Sequence, residues 1–256
     1  MTMNKSGRRA FLLRALTASS VLLLSGCERL SRSEWLPKVL GSAEKLTQAA
    51  QRLITPRKAM AQEFAQADLS PQFRSNGTSN PENPQYQALA ANNFADYRLQ
   101  VGGLVAHPTS FSLAELRGLP SRTQITRHDC VEGWSAIGKW KGTPLSIVLD
   151  QVQPRLEARY VVFYCADPMD ALGTRYYESI DMDDARHPQT ILAYELNDQV
   201  LPIANGAPIR VRIERQLGYK MAKYITGILI VDSFASIGGG KGGYWEDQGY
   251  EWYAGI

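Results

Sequence analysis

Three cysteines and three histidines are all that this chain of 256 residues contains. His107, His128 and His187 are scattered without paired ligand spacing, which argues against a histidine-built metal centre. No C-x-x-C-H run is present, which excludes covalent haem of that type. No uninterrupted apolar stretch reaches the ~18 residues of a membrane-crossing helix. Basic residues do not cluster into a nucleic-acid-binding face, and internal repeats and long low-complexity runs are absent. The glycine-rich run 238–243 around Lys241 lacks the spacing, and the following Ser or Thr, of a phosphate-binding loop, and reads as a flexible link. His107 and His187 each precede a proline and read as structural.

What is present at the N-terminus reads as an address. Lys5, Arg8 and Arg9 lie ahead of a short apolar stretch, 11–24, interrupted by Arg14, as in a signal peptide. Arg8-Arg9-Ala10-Phe11-Leu12 resembles a twin-arginine export signal, a route that carries folded proteins. Leu24-Ser25-Gly26-Cys27 looks like a lipobox. Residues 1–26 are therefore expected to be removed and Cys27 lipidated, anchoring the chain to a membrane on the periplasmic side. The alternative is an ordinary signal that discards Cys27. Residues 1–26 hold four basic residues and no acidic one, so the rest carries 24 basic against 25 acidic residues. The formal net charge of +3 thus becomes −1.

Residues 27–90 read as a tether. Trp35, Leu36, Val39, Leu40, Leu46, Leu53 and Ile54, set among charges, fit one or two short amphipathic helices. Residues 70–87 are rich in Pro, Asn, Ser and Gly and read as loop. The compact domain is expected over 91–256, long enough for one substantial core. Residues 97–101 alternate like a strand, and Gly102-Gly103 turns the chain. Ser112 is placed to cap a short helix through Leu116. Residues 143–152 read as a helix with Pro144 in its first turn and Leu145, Val148, Leu149 and Val152 apolar. Residues 159–165, 209–213 and 225–231 read as buried strands. The expected class is α+β, mainly β, with binding loops at the sheet ends.

If Cys27 is lipidated, Cys130 and Cys165 remain, and two readings are open. In an exported chain the pair can close a disulfide. Alternatively Cys130 is a thiolate ligand, a soft and strongly donating group suited to a high-valent transition metal. Arg127 and His128 beside it are then expected to depress its pKa. Alternation over 209–213 puts Arg210 and Arg212 on one face and the aliphatics on the other. Lys220 and Lys223 share a face if their loop is helical. Such cations suit a phosphate, which Gly206 and Gly218 would let backbone N–H groups approach. Asn205 can donate and accept at once. The opposing reading is an amphipathic edge strand with solvated charges. The aromatic run 243–253 is either a wall closing a substrate pocket or a hydrophobic clasp holding the tail to the sheet, with the clasp preferred.

Four blocks in a fixed order resemble the sulfite oxidase family of molybdenum enzymes. They are Asn92-Asn93-Phe94, then Cys130-Val131-Glu132-Gly133-Trp134-Ser135, then residues 201–210, then Gly218-Tyr219-Lys220-Met221-Ala222-Lys223. The resemblance implies a sulfite-oxidase-type catalytic domain that binds molybdenum-molybdopterin. Cys130 would be the metal ligand and catalytic centre. Asn92, Ala95, Asp96, Cys165, Asp167, Asn205, Arg210, Met221, Ala222 and Lys223 would surround the pterin and its phosphate. The chain departs from the family at Ala95-Asp96, where the bacterial methionine-sulfoxide-reducing branch usually has Tyr-Glu. It departs again at Cys165, where threonine is common, and Asp167 is the alternative contact there. The Cys-x-Glu-x-Trp-Ser pattern looks closest to that reductase branch. It implies two-electron oxygen-atom transfer, reducing a small-molecule or protein-bound S- or N-oxide such as methionine sulfoxide. The chain would be a monomeric catalytic subunit with a separate electron partner, a membrane haem protein or quinone-linked subunit. The alternatives are a sulfite dehydrogenase that passes electrons to a cytochrome, and a non-catalytic lipoprotein binding module on the same fold.

Overall fold

The computed structural model describes residues 46, 47, 49–53, 56 and 58–256. The export and lipidation motifs, Cys27 included, and Trp35, Leu36, Val39, Leu40 and Ile54 lie outside the described residues. Residues 46, 47 and 49–53 are helical. No helix among the described residues is long and apolar enough to cross a membrane.

Two five-stranded sheets form the body. The first takes β1 (Arg98–Gly103), β2 (Thr109–Ser112), β5 (Tyr160–Pro168), β6 (Arg175–Asp181) and β10 (Ile225–Val231) in the order β2-β1-β10-β5-β6. Only the β1–β10 pair is parallel, with Gln100 opposite Gly227. In β5 the side chains of Val161, Val162 and Phe163 are all buried, as a continuous apolar run in an interior strand requires. Gly103 ends β1 with φ +90°, and a Cβ there would fall 2.2 Å from the Ile230 carbonyl oxygen. The glycine pair expected to turn the chain thus also allows two backbones to meet.

The second sheet takes β3 (Arg122–Asp129), β4 (Ser135–Pro144), β7 (Ile191–Leu196) and the short β8 (Gln199–Val200) in that order, with β9 (Arg210–Arg212) also pairing β7. From residue 84 on, five short α-helices complete the fold: α1 (Pro84–Ala91), α2 (Leu113–Gly118), α3 (Leu145–Val152), α4 (Met182–Ala185) and α5 (Tyr244–Asp247). Ser112 caps α2 as expected, and Glu115 returns a bond to its backbone to close a capping box. In α3, Leu145, Val148, Leu149 and Val152 all face the main core, the i, i+3, i+4, i+7 stripe of an amphipathic helix. The α+β, mainly β expectation matches this architecture.

The stretch before residue 91 does not behave as a tether where it is described. A single compact unit runs from Arg52 to Ile256. The Phe64 amide donates to the Ile125 carbonyl, lengthening the hydrogen bonding of β3. Phe73 packs edge-on against Trp140, with centroids 4.9 Å apart, and closes a small second core of Trp140, Ile191, Ala193, Leu196 and Leu201. Tyr86 enters the main core and donates its hydroxyl to the Ala207 carbonyl at 2.8 Å. Composition identifies this stretch as irregular, but two aromatic side chains decide where it lies.

Candidate active site

Cys130 is the first residue of the turn that joins β3 to β4. Its amide donates to the Trp134 carbonyl at 2.9 Å, and the Gly133 amide returns to the Cys130 carbonyl at 3.0 Å. Gly133 has φ +83°, which an L side chain would resist. Below the turn the Ser135 hydroxyl donates to Asp129 at 2.5 Å, and Arg127 pairs with Asp129 at 2.9 Å. The thiol sits half-buried on a braced hairpin tip. Cys130 and Cys165 are both free thiols, which answers the disulfide reading.

The expectation that Arg127 and His128 acidify Cys130 is overturned. Arg127 is taken by Asp129, and His128 is held well below its ordinary pKa, first by burial and then by Arg212, Arg210 and Lys223. Burial pushes the Cys130 thiol up, and the carboxylate of Glu132 adds to this. A thiolate here therefore depends on a bound cation to stabilise it, the usual coupling of metal binding to deprotonation.

Behind the turn lies a row of buried cations. Arg210 and Arg212 share a face, as the alternation predicts, with their guanidiniums 5.2 and 4.5 Å from the Trp140 ring centroid. Both are sealed from solvent, so the solvated edge-strand reading fails. Arg212 forks onto Glu214 at 2.9 and 2.6 Å and donates to His128 Nδ1 at 2.9 Å. Nδ1 must then accept, which places the proton of the neutral ring on Nε2. Arg210 donates only to the carbonyls of Asn205 and Met221, each at 3.1 Å, and its Nε is buried without a partner. Burial and Arg212 lower its pKa to about 9.

Lys220 and Lys223 do not share a face. The 3-10 turn Gly218–Lys220 ends between them, and Met221 takes the chain out of the turn at φ −92° and ψ 71°. Lys220 turns into the core, while Lys223 reaches a cavity of about 290 Å³ that opens at Cys130. The Lys223 ammonium donates to the carbonyls of Asn76, Thr78 and Ala204. Burial and Arg210 lower its pKa to about 7, and burial raises Asp167 to about 6. Gly206, with φ +112°, allows the pair to meet: a Cβ there would fall 3.0 Å from Lys223 and 3.2 Å from Arg210.

The residues singled out from sequence divide into groups. Cys130, Asp167, Met221 and Lys223 line the cavity. Asn205 and Arg210 stand behind Lys223, and Ala222 is buried between Met221 and Lys223, with its carbonyl accepting from Val211. Cys165 is buried in β5 and does not line the cavity, so Asp167 is the cavity-facing member of that pair. Asn92, Ala95 and Asp96 lie in an exposed turn after α1, away from the cavity lining, with Asn92 donating to Asp96 at 2.6 Å.

The cavity also contains residues that sequence reasoning passed over. Asn76, Gly77 and Thr78 come from the supposed tether, and Tyr176 and Met169 from the β5–β6 hairpin. Glu132 carried a signal, since it lies two residues past Cys130; the others are recruited by folding alone. The aromatic tail proves to be both wall and clasp. Trp245 and Tyr250 line the cavity, while Trp252 meets Tyr160 edge-on at 5.5 Å and Phe234 at 5.6 Å.

A molybdenum-pterin group can be tested against this donor set. Buried and unpartnered are Asn205 Nδ2 and Arg210 Nε, both donors, and Asp167 Oδ1 and Asn76 Oδ1, both acceptors. Mixed donors and acceptors suit a pterin edge, the two cations suit a phosphate, and one accessible thiol suits the metal. The residues fit the group.

Comparison with known proteins gives the same direction. Residues 86–236 match the family model described as oxidoreductase molybdopterin binding domain. Over 250 residues the chain is 38% identical to the putative protein-methionine-sulfoxide reductase subunit YedZ1 of Azospira oryzae, covering 97% of this chain and 87% of that one. It is 40% identical over 145 residues to the protein-methionine-sulfoxide reductase catalytic subunit MsrP of Xanthomonas axonopodis pv. citri, covering 53% of this chain. It spans 45% of that relative. The sulfane dehydrogenase SoxCD of Paracoccus pantotrophus superposes with a TM-score of 0.48 at 22% identity, covering 54% of this chain and 39% of that one.

Proposed function

The chain belongs to the molybdopterin-binding oxidoreductase family, and on that footing we propose that it reduces a neutral S- or N-oxide, methionine sulfoxide first among them. It is a molybdenum-cofactor-dependent enzyme. When bound, the cofactor supplies a two-electron centre for oxygen-atom transfer. Everything else falls to the protein.

One observation carries the choice of substrate. The cavity at Cys130 presents Val131, Met169, Tyr176, Trp245 and Tyr250 together with the carboxylates of Glu132 and Asp167. Its lysine already serves three carbonyls. With Asp167 and Lys223 given to the cofactor, an anion such as sulfite would face the Glu132 carboxylate there, while a neutral oxide with apolar substituents would meet apolar walls. Taking a sulfoxide to a sulfide consumes two electrons and two protons and releases one water. Glu132, exposed beside Cys130 and accepting from Trp134 Nε1 at 2.9 Å, is placed to pass a proton in from solvent.

The cofactor cradle in this reading is Asn205, Arg210, Met221, Ala222 and Lys223 with Asp167, and Cys130 is the ligand to molybdenum. Asn92, Ala95 and Asp96 join it only if their turn approaches the bound pterin. Electrons come from a separate partner; that the relatives are each named as a subunit supports this. We assign the protein to the periplasm with a lipid anchor at Cys27, on the strength of the twin-arginine-like and lipobox-like runs.

The test is turnover of purified, molybdenum-loaded protein with a reduced viologen dye. Dye oxidation that depends on a methionine sulfoxide peptide is the expected result. Sulfite-dependent cytochrome reduction without sulfoxide turnover would overturn the assignment.

A further inference from the structure

The matched family domain ends at residue 236, yet Trp245 and Tyr250, beyond it, complete the cavity. Their support is unusual. They belong to or follow α5, a single helical turn whose N-cap, Gly243, offers no side-chain bond. One turn does not hold itself in water. It is held by a buried ionic triad, and by Asp247 of the same turn, which accepts from the Tyr177 hydroxyl and the Gly239 and Lys241 amides.

Lys220 donates to Glu178 on β6 at 2.5 Å and to Glu246 on α5 at 2.6 Å. All three side chains are at most 1% exposed. One ammonium between two carboxylates would leave an uncompensated buried charge, and burial pushes Glu178 well above the carboxylate range so that it can stay protonated. Glu246 is the residue next to Trp245. Trp245 stacks on Tyr250 at 5.3 Å, and Tyr250 meets Tyr219, the neighbour of Lys220, edge-on at 5.3 Å. Tyr219 in turn donates to the Glu251 carbonyl at 2.6 Å. These contacts run from the triad to the wall.

We propose that Trp245 and Tyr250 form the specificity-determining wall for the apolar substituent of the oxide, and that Glu178, Lys220 and Glu246 are the latch that positions it. The proposal rests on the reading that this cavity takes a neutral oxide. It adds that selectivity among such oxides comes from the tail beyond the matched domain.

The experiment compares an aryl methyl sulfoxide with dimethyl sulfoxide on loaded wild type, Trp245→Ala, Trp245→Phe, Glu246→Ala and the Trp245→Ala/Glu246→Ala double variant. Binding of the aryl sulfoxide without reductant is measured by calorimetry alongside turnover. Removing an aromatic contact should raise KM and Kd for the aryl sulfoxide about tenfold. The KM for dimethyl sulfoxide, which sets only methyl groups against the wall, should rise less, so that the preference for the aryl sulfoxide falls. Trp245→Phe should recover most of the loss. Glu246→Ala should reproduce the effect, and the double variant should be no worse than Trp245→Ala, since latch and wall act as one unit. Unchanged binding in Trp245→Ala, fully additive losses in the double variant, or loss of molybdenum from Trp245→Ala would overturn the proposal; the last would make the wall part of the cofactor site. If wild type turned over neither sulfoxide but Trp245→Ala still weakened binding, the reductase reading would fail and the wall would stand.

Discussion

Gly218 lies so close to the His128 ring that a Cβ added to it would fall 2.5 Å from both Cε1 and Nε2. Its backbone is not in the left-handed region, so the demand is one of space alone. His128 cannot yield easily, because Arg212 holds its Nδ1 and the rings of Phe73 and Trp134 flank it. It also stands two residues before Cys130, so any shift passes into the Cys130 turn. Gly218→Ala is therefore expected to cost about 1–3 kcal/mol, as overpacking a filled interior does. Urea denaturation measures the cost, and the molybdenum content of the variant should fall with it. A variant as stable and as metal-rich as wild type would show that the ring has somewhere to go.

Cys130→Ser tests the other side of that turn. The thiol is half-buried and faces only the Val131 and Glu132 amides, while the turn is held by backbone bonds and by Asp129. Folding stability should change by less than about 1 kcal/mol. Molybdenum content and thiolate-to-metal absorption should both drop, because a hydroxyl is a harder and weaker donor than a thiolate. Full retention of both would remove Cys130 from the metal.

The fold class was legible from sequence because strand and helix periodicity survive in single segments. The 143–152 stripe and the Ser112 cap are local signals, and local physics settled both. The Cys130 turn stood out as a candidate metal loop for the same reason, since its residues are contiguous. The fate of charged residues was not. Lys220 and Lys223 look alike in sequence, yet one donates to the buried Glu178 and Glu246 and the other to three carbonyls. Burial and partners decide this, and both depend on residues far away in the chain. Arg127 and His128 misled in the same way, being judged by nearness to Cys130 when Asp129 and Arg212 already held them.

The stretch before residue 91 gives a further test of that limit. If Phe73 and Tyr86 are part of the core, a fragment covering 91–256 should lose cooperative unfolding, whereas 52–256 should keep it. Within the full chain, Phe73→Ala should cost about 2–4 kcal/mol by uncovering Trp140, somewhat less than for a fully enclosed ring. Thermal unfolding of both fragments reads the first outcome. A cooperative transition in 91–256 at the wild-type temperature would restore the tether.

Lys223 and Asp167 make the stability of the cofactor-free protein depend on pH in a particular way. The Lys223 pKa is lowered to about 7 by burial and Arg210, so its contribution is complete above about 10.5 and is lost as pH falls through about 7. The Asp167 pKa is raised to about 6 by burial, so its contribution is complete below about 3.8 and is lost as pH rises through about 6. Between about 6 and 7 both are charged in a site that penalises charge, and the pair contributes least. Relative to Lys223→Met, cofactor-free wild type should therefore lose stability steadily as pH falls from about 10 to 7, as urea midpoints would record. A phosphate placed against the ammonium would reverse that penalty by favouring its charged form. Lys223→Met should accordingly purify with less pterin than wild type although its empty form is the more stable of the two at pH 7. A pH-independent difference between the two cofactor-free proteins would mean that the Asn76, Thr78 and Ala204 carbonyls already compensate the ammonium in full.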